Sequence, residues 1–450
     1  MSQVNRLVHN TARLVLTIEP LLLLVVVVAF WTPNMERLHT LWLVILIIAA
    51  RWIITKRIAA PSPINVLIVG LLVLCAVNLL FAPLNWGGVW NGGWIIGRIL
   101  MGITLALSVG DRAYRLGMLG VHQAITVTVI VGILLGLAAL SWSMWTEKST
   151  QLIGLISMLP TRPTDEWFRN AIGGFNVNEV GGAISFVLPV AAGVAIIDWR
   201  TPLSTQNRWL ILRRGLASVA FVLLAYALFL GQSRMAIAGC LIALFGLTFI
   251  LIPRGRWRLL ALCGLFAFTA IELIIFTQLT NPRGEVLLER DESSVTSRVQ
   301  IWTAAANIIH DYPLTGIGMN QFRSRAARAN YPVPGYENRV LPHAHNGILQ
   351  IGADFGIPGM VMLIGLYGTA GWMLWRVWKT ARHDLTAQTA KAFAPAVAAG
   401  LLAHSVFALA DAITLFDRFI FIFWWLIGLT IALYVCREHI TKTNDSQTSK

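Results

Sequence analysis

The chain has 450 residues, of which 56% are apolar and only 12% charged, with a formal net charge of +14. A soluble protein spends about a quarter of its residues on charge, so this composition excludes a water-soluble enzyme. The basic excess is not gathered on a polar module of the kind that holds nucleic acid, and it reads as a membrane-orientation signal.

The first apolar block, Leu14 to Trp31, follows Arg6 and Arg13 and leads directly into further apolar blocks. That pattern marks a first transmembrane helix, not a removable signal. Further blocks run roughly over 38–54, 64–82, 93–110, 118–140, 180–197, 208–229, 234–252, 257–277, 358–378, 392–411 and 418–436. The expected fold is all-α: a polytopic membrane protein of about 12 transmembrane helices, forming one integral membrane domain over 1–450. With the amino terminus in the cytoplasm, 21 of the 35 Lys and Arg fall on the cytoplasmic side, nearly all beside helix ends, which puts both termini inside. Cys75, Cys240, Cys263 and Cys436 sit in or beside apolar blocks and read as buried small residues. Thr441 to Lys450 is polar and reads as a disordered tail.

Two outer segments exceed a connector in length. Residues 141–179 hold several tryptophans and prolines and end in Asn176-Val177-Asn178-Glu179. Residues 278–357 form the larger loop, in which Ser294 to His310 has a helical repeat of Val299, Trp302, Ala305 and Ile309, closed by Asp311-Tyr312-Pro313. Gly316-Ile317-Gly318 follows as a tight turn. Asn346 is placed to cap a short helix from Gly347 that breaks near Phe355-Gly356-Ile357-Pro358, where the next span begins.

Ionisable groups collect on this outer side. Arg234 follows Gly231-Gln232-Ser233 at the mouth of an apolar helix, where a cation opposes the helix dipole and calls for an anion, whether a lipid headgroup, a loop carboxylate or a substrate. The large loop carries seven arginines, Arg283, Arg290, Arg298, Arg323, Arg325, Arg328 and Arg339. Their guanidinium forks suit phosphate or carboxylate, although a mutually paired surface would use the same residues. His343 and His345 leave three roles open: zinc ligation, which lacks a nearby third ligand, a helix cap, and a neutral base for a sugar hydroxyl. Arg98, near the outer end of its span, is placed to snorkel outward. Acidic residues inside spans are few, Glu19 and Glu272 among them, and no Walker loop is present, which argues against a pump or an ion-coupled transporter.

Ser297-Arg298-Val299-Gln300-Ile301-Trp302, then Asp311-Tyr312-Pro313-Leu314-Thr315-Gly316-Ile317-Gly318, then His345-Asn346 with Gly356 downstream resembles the signature region of the O-antigen ligase and polymerase superfamily. The resemblance implies a GT-C-like membrane glycosyltransferase in the bacterial inner membrane, with its active site in the periplasm. It implies transfer of a glycan from an undecaprenyl diphosphate carrier to a glycan, lipid or protein hydroxyl, with inversion, no metal and no cofactor, by a monomer. O-antigen ligation to a lipid or oligosaccharide acceptor is the leading expectation, followed by polysaccharide polymerisation, protein O-glycosylation and bicarbonate-like solute transport. Carried over residue by residue, the resemblance makes His345, Arg234 and Arg298 catalytic. Arg98, Asn346, Arg323, Arg325, Arg328, His343 and Asn178 are the residues expected to bind substrate.

Overall fold

The computed structural model describes residues 3–31, 41–83, 89–145, 152–159, 174–201, 208–280, 295–336, 341–379 and 385–448. Much of the 141–179 loop, with Arg283, Arg290 and Arg339, lies outside them. Apart from an isolated β-bridge between Ser143 and Phe175, the regular structure of the described residues is helical. Its elements are α1 (Gln3–Trp31), α2 (Leu41–Thr55), α3 (Ile64–Phe81), α4 (Val89–Leu116), α5 (Met118–Trp142), α6 (Ile153–Ile156), α7 (Val177–Arg200), α8 (Arg208–Gly231), α9 (Arg234–Leu251), α10 (Arg256–Thr280), α11 (Val295–Asp311), α12 (Arg325–Asn330), α13 (Gly347–Trp378), α14 (Leu385–Phe407) and α15 (Ile420–Thr448). α15 runs on into the polar segment expected to be disordered.

Each of the twelve expected blocks is a helix, but ten are long and apolar enough to cross a membrane: α1, α3, α5, α7 to α10 and α13 to α15. α2 is apolar but short. α4 has the length, yet carries Arg98, Asp111, Arg112 and Arg115.

Two compact units make up the chain, one of Met1–Ala124, Val361–Ala394 and Thr414–Lys450, the other of Ile125–Met360 and Pro395–Ile413. In the first, α4 packs against α15, and α1 against α2. The charges of α4 are absorbed by a buried cluster. Arg51 lies 2.8 Å from Glu19 and 3.3 Å from Asp111, and Arg115 reaches both carboxylates at 2.7 Å. Arg51 also donates to Ser108 Oγ at 2.6 Å. Such charges persist in an apolar interior only when paired in this way.

In the second unit α7 is the most enclosed helix, packed against α8 and α9. One end of α7 is tied by Arg213, which donates to both oxygens of Asp198 at 2.8 and 2.7 Å, and by Arg214, which lies over the Trp199 ring. The other end carries Gly181 and Gly182. A Cβ at Gly182 would lie 2.6 Å from the Phe407 ring and 3.0 Å from Ile413, so only glycine lets that segment approach. α7 is therefore the post against which the 407–413 segment and the start of α9 are set.

Candidate active site

His345 is the centre of the second unit's polar chemistry. Its backbone has φ 47, a left-handed conformation that few residues other than glycine adopt. Neighbours on three elements support it. Trp302 Nε1, on α11, donates to the His345 carbonyl at 3.3 Å. Gln350 Oε1, on α13, accepts from Ala344 N at 2.7 Å, while Gln350 Nε2 donates to Asp354 at 2.9 Å and Asp354 also accepts from Asn320 N. Asn346 caps α13 by accepting from the Ile348 and Leu349 N–H groups at 3.0 Å, and its Nδ2 donates to the Leu409 carbonyl at 2.9 Å. The expected cap is present, and both polar ends of Asn346 are engaged by protein.

The link to Leu409 matters because Asp411 follows two residues later. His345 Nδ1 lies 3.2 Å from Asp411 Oδ1. Burial raises the Asp411 carboxyl, but the hydrogen bond from His345 and the fields of His343 and His345 outweigh it and hold the pKa at about 2. In the neutral imidazole, Nδ1–H then points to the Asp411 carboxylate and Nε2 carries the lone pair. That Nε2 is buried and has no hydrogen-bond partner among the described residues. A carboxylate that fixes a tautomer and an imidazole nitrogen left open is the arrangement of a general base.

His343, His345 and Asp411 also bring three possible ligand atoms within 4.8 Å of one another. A metal would need the lone pair of His343 Nε2. The His345 backbone N–H donates to His343 Nδ1 at 3.2 Å, which puts the proton on Nε2, 3.6 Å from Asp411. The tautomer that the backbone selects therefore suits hydrogen bonding to the carboxylate and not ligation.

α11 carries Arg298 one turn before Trp302, and the buried Arg298 Nε has no hydrogen-bond partner among the described residues. Arg234 is exposed at the first position of α9. Its turn is held by Gln232, φ 46, whose Nε2 donates to the Phe229 carbonyl at 2.6 Å and to Glu272 at 3.3 Å. Asn178 is half-buried in the first turn of α7, and its N–H donates to the Asn176 cap at 2.8 Å. The structure thus sets Trp302, with Arg298 beside it, against His345, and the Gly181-Gly182 pair of α7 against both the Arg234 turn and the segment holding Asp411.

The remaining expected residues lie elsewhere. Arg98 does not snorkel: it is buried in the first unit and donates to the Phe416 carbonyl. Arg328 donates to the Arg323 carbonyl at 3.1 Å and lines a small cavity with Phe322, Tyr331 and Leu341, while Arg325 is exposed at the start of α12. His404, buried below this site, stacks on Phe186 with centroids 3.6 Å apart and serves the core.

With this geometry in hand, comparison with known families gives one match, to the model described as O-antigen ligase, over residues 219–364. That stretch, less than half of the chain, is similar to the O-antigen ligase family. It takes in Arg234, Arg298, Trp302 and His345 and stops short of Asp411. No curated protein matches the chain. Asp411, Gln350 and Asp354 are the polar residues that sequence reasoning missed. Asp411 was visible only as one of two acids, with Asp417, between two apolar spans, and Gln350 and Asp354 as a polar pair one turn apart in an apolar helix.

Proposed function

We propose that the protein is a glycosyltransferase that moves a glycan from a polyprenyl diphosphate carrier to an acceptor hydroxyl at the outer face of the bacterial cytoplasmic membrane. The observation that carries this reading is His345 with Nε2 open and Nδ1 tied to ionised Asp411, His345 lying in the stretch that matches the O-antigen ligase family model. The acceptor O–H gives its proton to His345 Nε2 as its oxygen attacks the anomeric carbon. The bond from that carbon to the carrier phosphate breaks, the electron pair leaves with the diphosphate, and the single displacement inverts the configuration. Arg234 and Arg298 meet the negative charge that grows on the departing diphosphate. Transfer to a lipid or oligosaccharide acceptor is the form we favour.

Both termini face the cytoplasm in this reading. Supporting it, Arg57 lies over Tyr114, Arg256 over Trp257, Arg376 over Trp372 and Lys379 over Trp378, all at helix ends that the charge count assigns to the cytoplasmic interface.

The test is transfer by purified protein in nanodiscs, supplied with carrier-linked oligosaccharide and a pool of acceptors. His345→Ala is expected to slow transfer by about 10²–10⁴-fold, the range for removal of a general base. Arg234→Lys is expected to be severely impaired although it keeps the charge. Mass spectrometry of lipid, polysaccharide and protein fractions then identifies the acceptor. Wild-type transfer by both variants would overturn the reading.

A further inference from the structure

The loop between α11 and α12 turns at Tyr312-Pro313-Leu314, against the break in α13. Ile357 N donates to the Pro313 carbonyl at 2.7 Å, and a Cβ on Gly356, φ 70, would lie 2.8 Å from the Leu314 carbonyl carbon. The turn is thus seated on the first residues of the membrane-crossing part of α13. A second bond, from Ile317 N to the Ala353 carbonyl at 2.9 Å, fixes its far side.

Two large apolar side chains are left outward at this contact, Leu314 at 71% exposure and Ile357 at 49%. Elsewhere in the described residues 295–357, Val299 is the one other exposed large apolar side chain. Ile357 heads the span, and the same helix continues with exposed Val361 and Ile364, at the i+4 and i+7 spacing of one lipid-facing row. Leu314, exposed and with its backbone against Gly356, stands beside the head of that row. Half-buried Tyr312, with an apolar ring and a polar tip, stands two residues away, as suits a membrane–water boundary.

We propose that Leu314 is a membrane anchor, inserted with Ile357 into the outer edge of the bilayer hydrocarbon, and that it sets the height of the 312–318 turn above the membrane. The partner is the acyl-chain edge of the lipid leaflet. This inference needs only that α13 crosses the membrane and does not depend on the transfer chemistry. Because the turn closes α11, which carries Arg298 and Trp302, the anchor also fixes the depth of that helix.

The test uses the full chain in lipid nanodiscs. In a Cys263→Ser background, which leaves three buried cysteines, Leu314→Cys, Ile357→Cys, Ile364→Cys and Asn330→Cys are each labelled with an environment-sensitive dye. Nitroxide lipids quench from just below the headgroup. Ile364 is the reference inside the lipid, and Asn330, exposed at the end of α12, the reference in water. The expected result is a blue-shifted label at Leu314 and Ile357, with a loss of fluorescence matching that at Ile364 while the Asn330 label is unaffected. A Leu314 label that behaves like the Asn330 label overturns the anchor. So does a Leu314 label that is shielded but unquenched and cross-links to a second copy, which would make the patch a protein interface.

Discussion

A Cβ placed on Gly181 would lie 2.6 Å from the Cβ of Ser233, the residue that precedes Arg234. The start of α9 is therefore positioned by the absence of a side chain on α7. Gly181→Ala is expected to destabilise the protein by about 1–3 kcal/mol, as overpacking does, and to lower transfer by displacing Arg234. Gly215→Ala on α8, with nothing within 4 Å, is the control and should be neutral or slightly stabilising. Thermal unfolding in detergent, read beside transfer, separates the two.

Asp411 orients His345 and holds its tautomer. Asp411→Asn is expected to cut transfer by about 10²-fold or more, because the amide can present an N–H to Nδ1 and turn the open lone pair the wrong way. His343→Ala should stay much closer to wild type than His345→Ala, since His343 Nδ1 is taken by the His345 N–H and its Nε2 lies 3.6 Å from Asp411. Initial rates at saturating donor decide this, and a wild-type rate for Asp411→Asn would remove the carboxylate from the mechanism.

The acid limit of stability has a definite direction. The folded Asp411 carboxyl, at about 2, lies below its ordinary 3.8, so its ionised form stabilises the fold above that ordinary value. The contribution is lost as pH falls from 3.8 toward 2. Melting temperatures of wild type and Asp411→Asn should differ by a constant amount above that window and converge within it. A gap that first closes at neutral pH would mean that another group is being read.

Sidedness can be read with an impermeant thiol reagent on intact cells. Asn330→Cys, exposed on α12, is expected to label from outside, and Lys379→Cys, exposed at the end of α13, to be protected. Ser324 would be a poor probe, being buried and capping α12 by accepting from Ala327 N at 3.0 Å. The reverse labelling pattern would put the histidine site in the cytoplasm.

In the proposed reaction arginine takes the place of metal at the diphosphate. Transfer is expected to persist in excess EDTA. Activity abolished by EDTA and restored by magnesium or manganese would show that the arginines do not suffice.

The helices were legible because an apolar run of span length has one stable solution in a bilayer, and α5, α7 and α8 lie close to where the blocks put them. α4 was harder. Arg98, Asp111, Arg112 and Arg115 break its apolar pattern, and their partners Phe416, Glu19 and Arg51 are far away in sequence. At the candidate site, His345, Asn346 and the break at Gly356 could be read from local signals: a motif, a cap and a Gly-Ile-Pro step. Asp411 could not, since it stands 66 positions from His345 and becomes a partner only through the fold. The same holds for Gly181 and Gly182, which look like ordinary small residues until Ser233 and Phe407 are packed on them.

The Glu19 and Arg51 pair also constrains how the protein enters the membrane. Glu19 lies midway along α1, and a bare carboxylate there would resist partitioning from the translocon into lipid. Its guanidinium partner emerges 32 residues later, and Arg115 only 96 residues later. The first helix is thus best released together with the second, as a hairpin in which the buried Glu19 and Arg51 charges are paired. Synthesis must then continue through α4 before the remaining charges are matched, so the carboxylate of α1 is electrostatically complete only once three later helices have followed it.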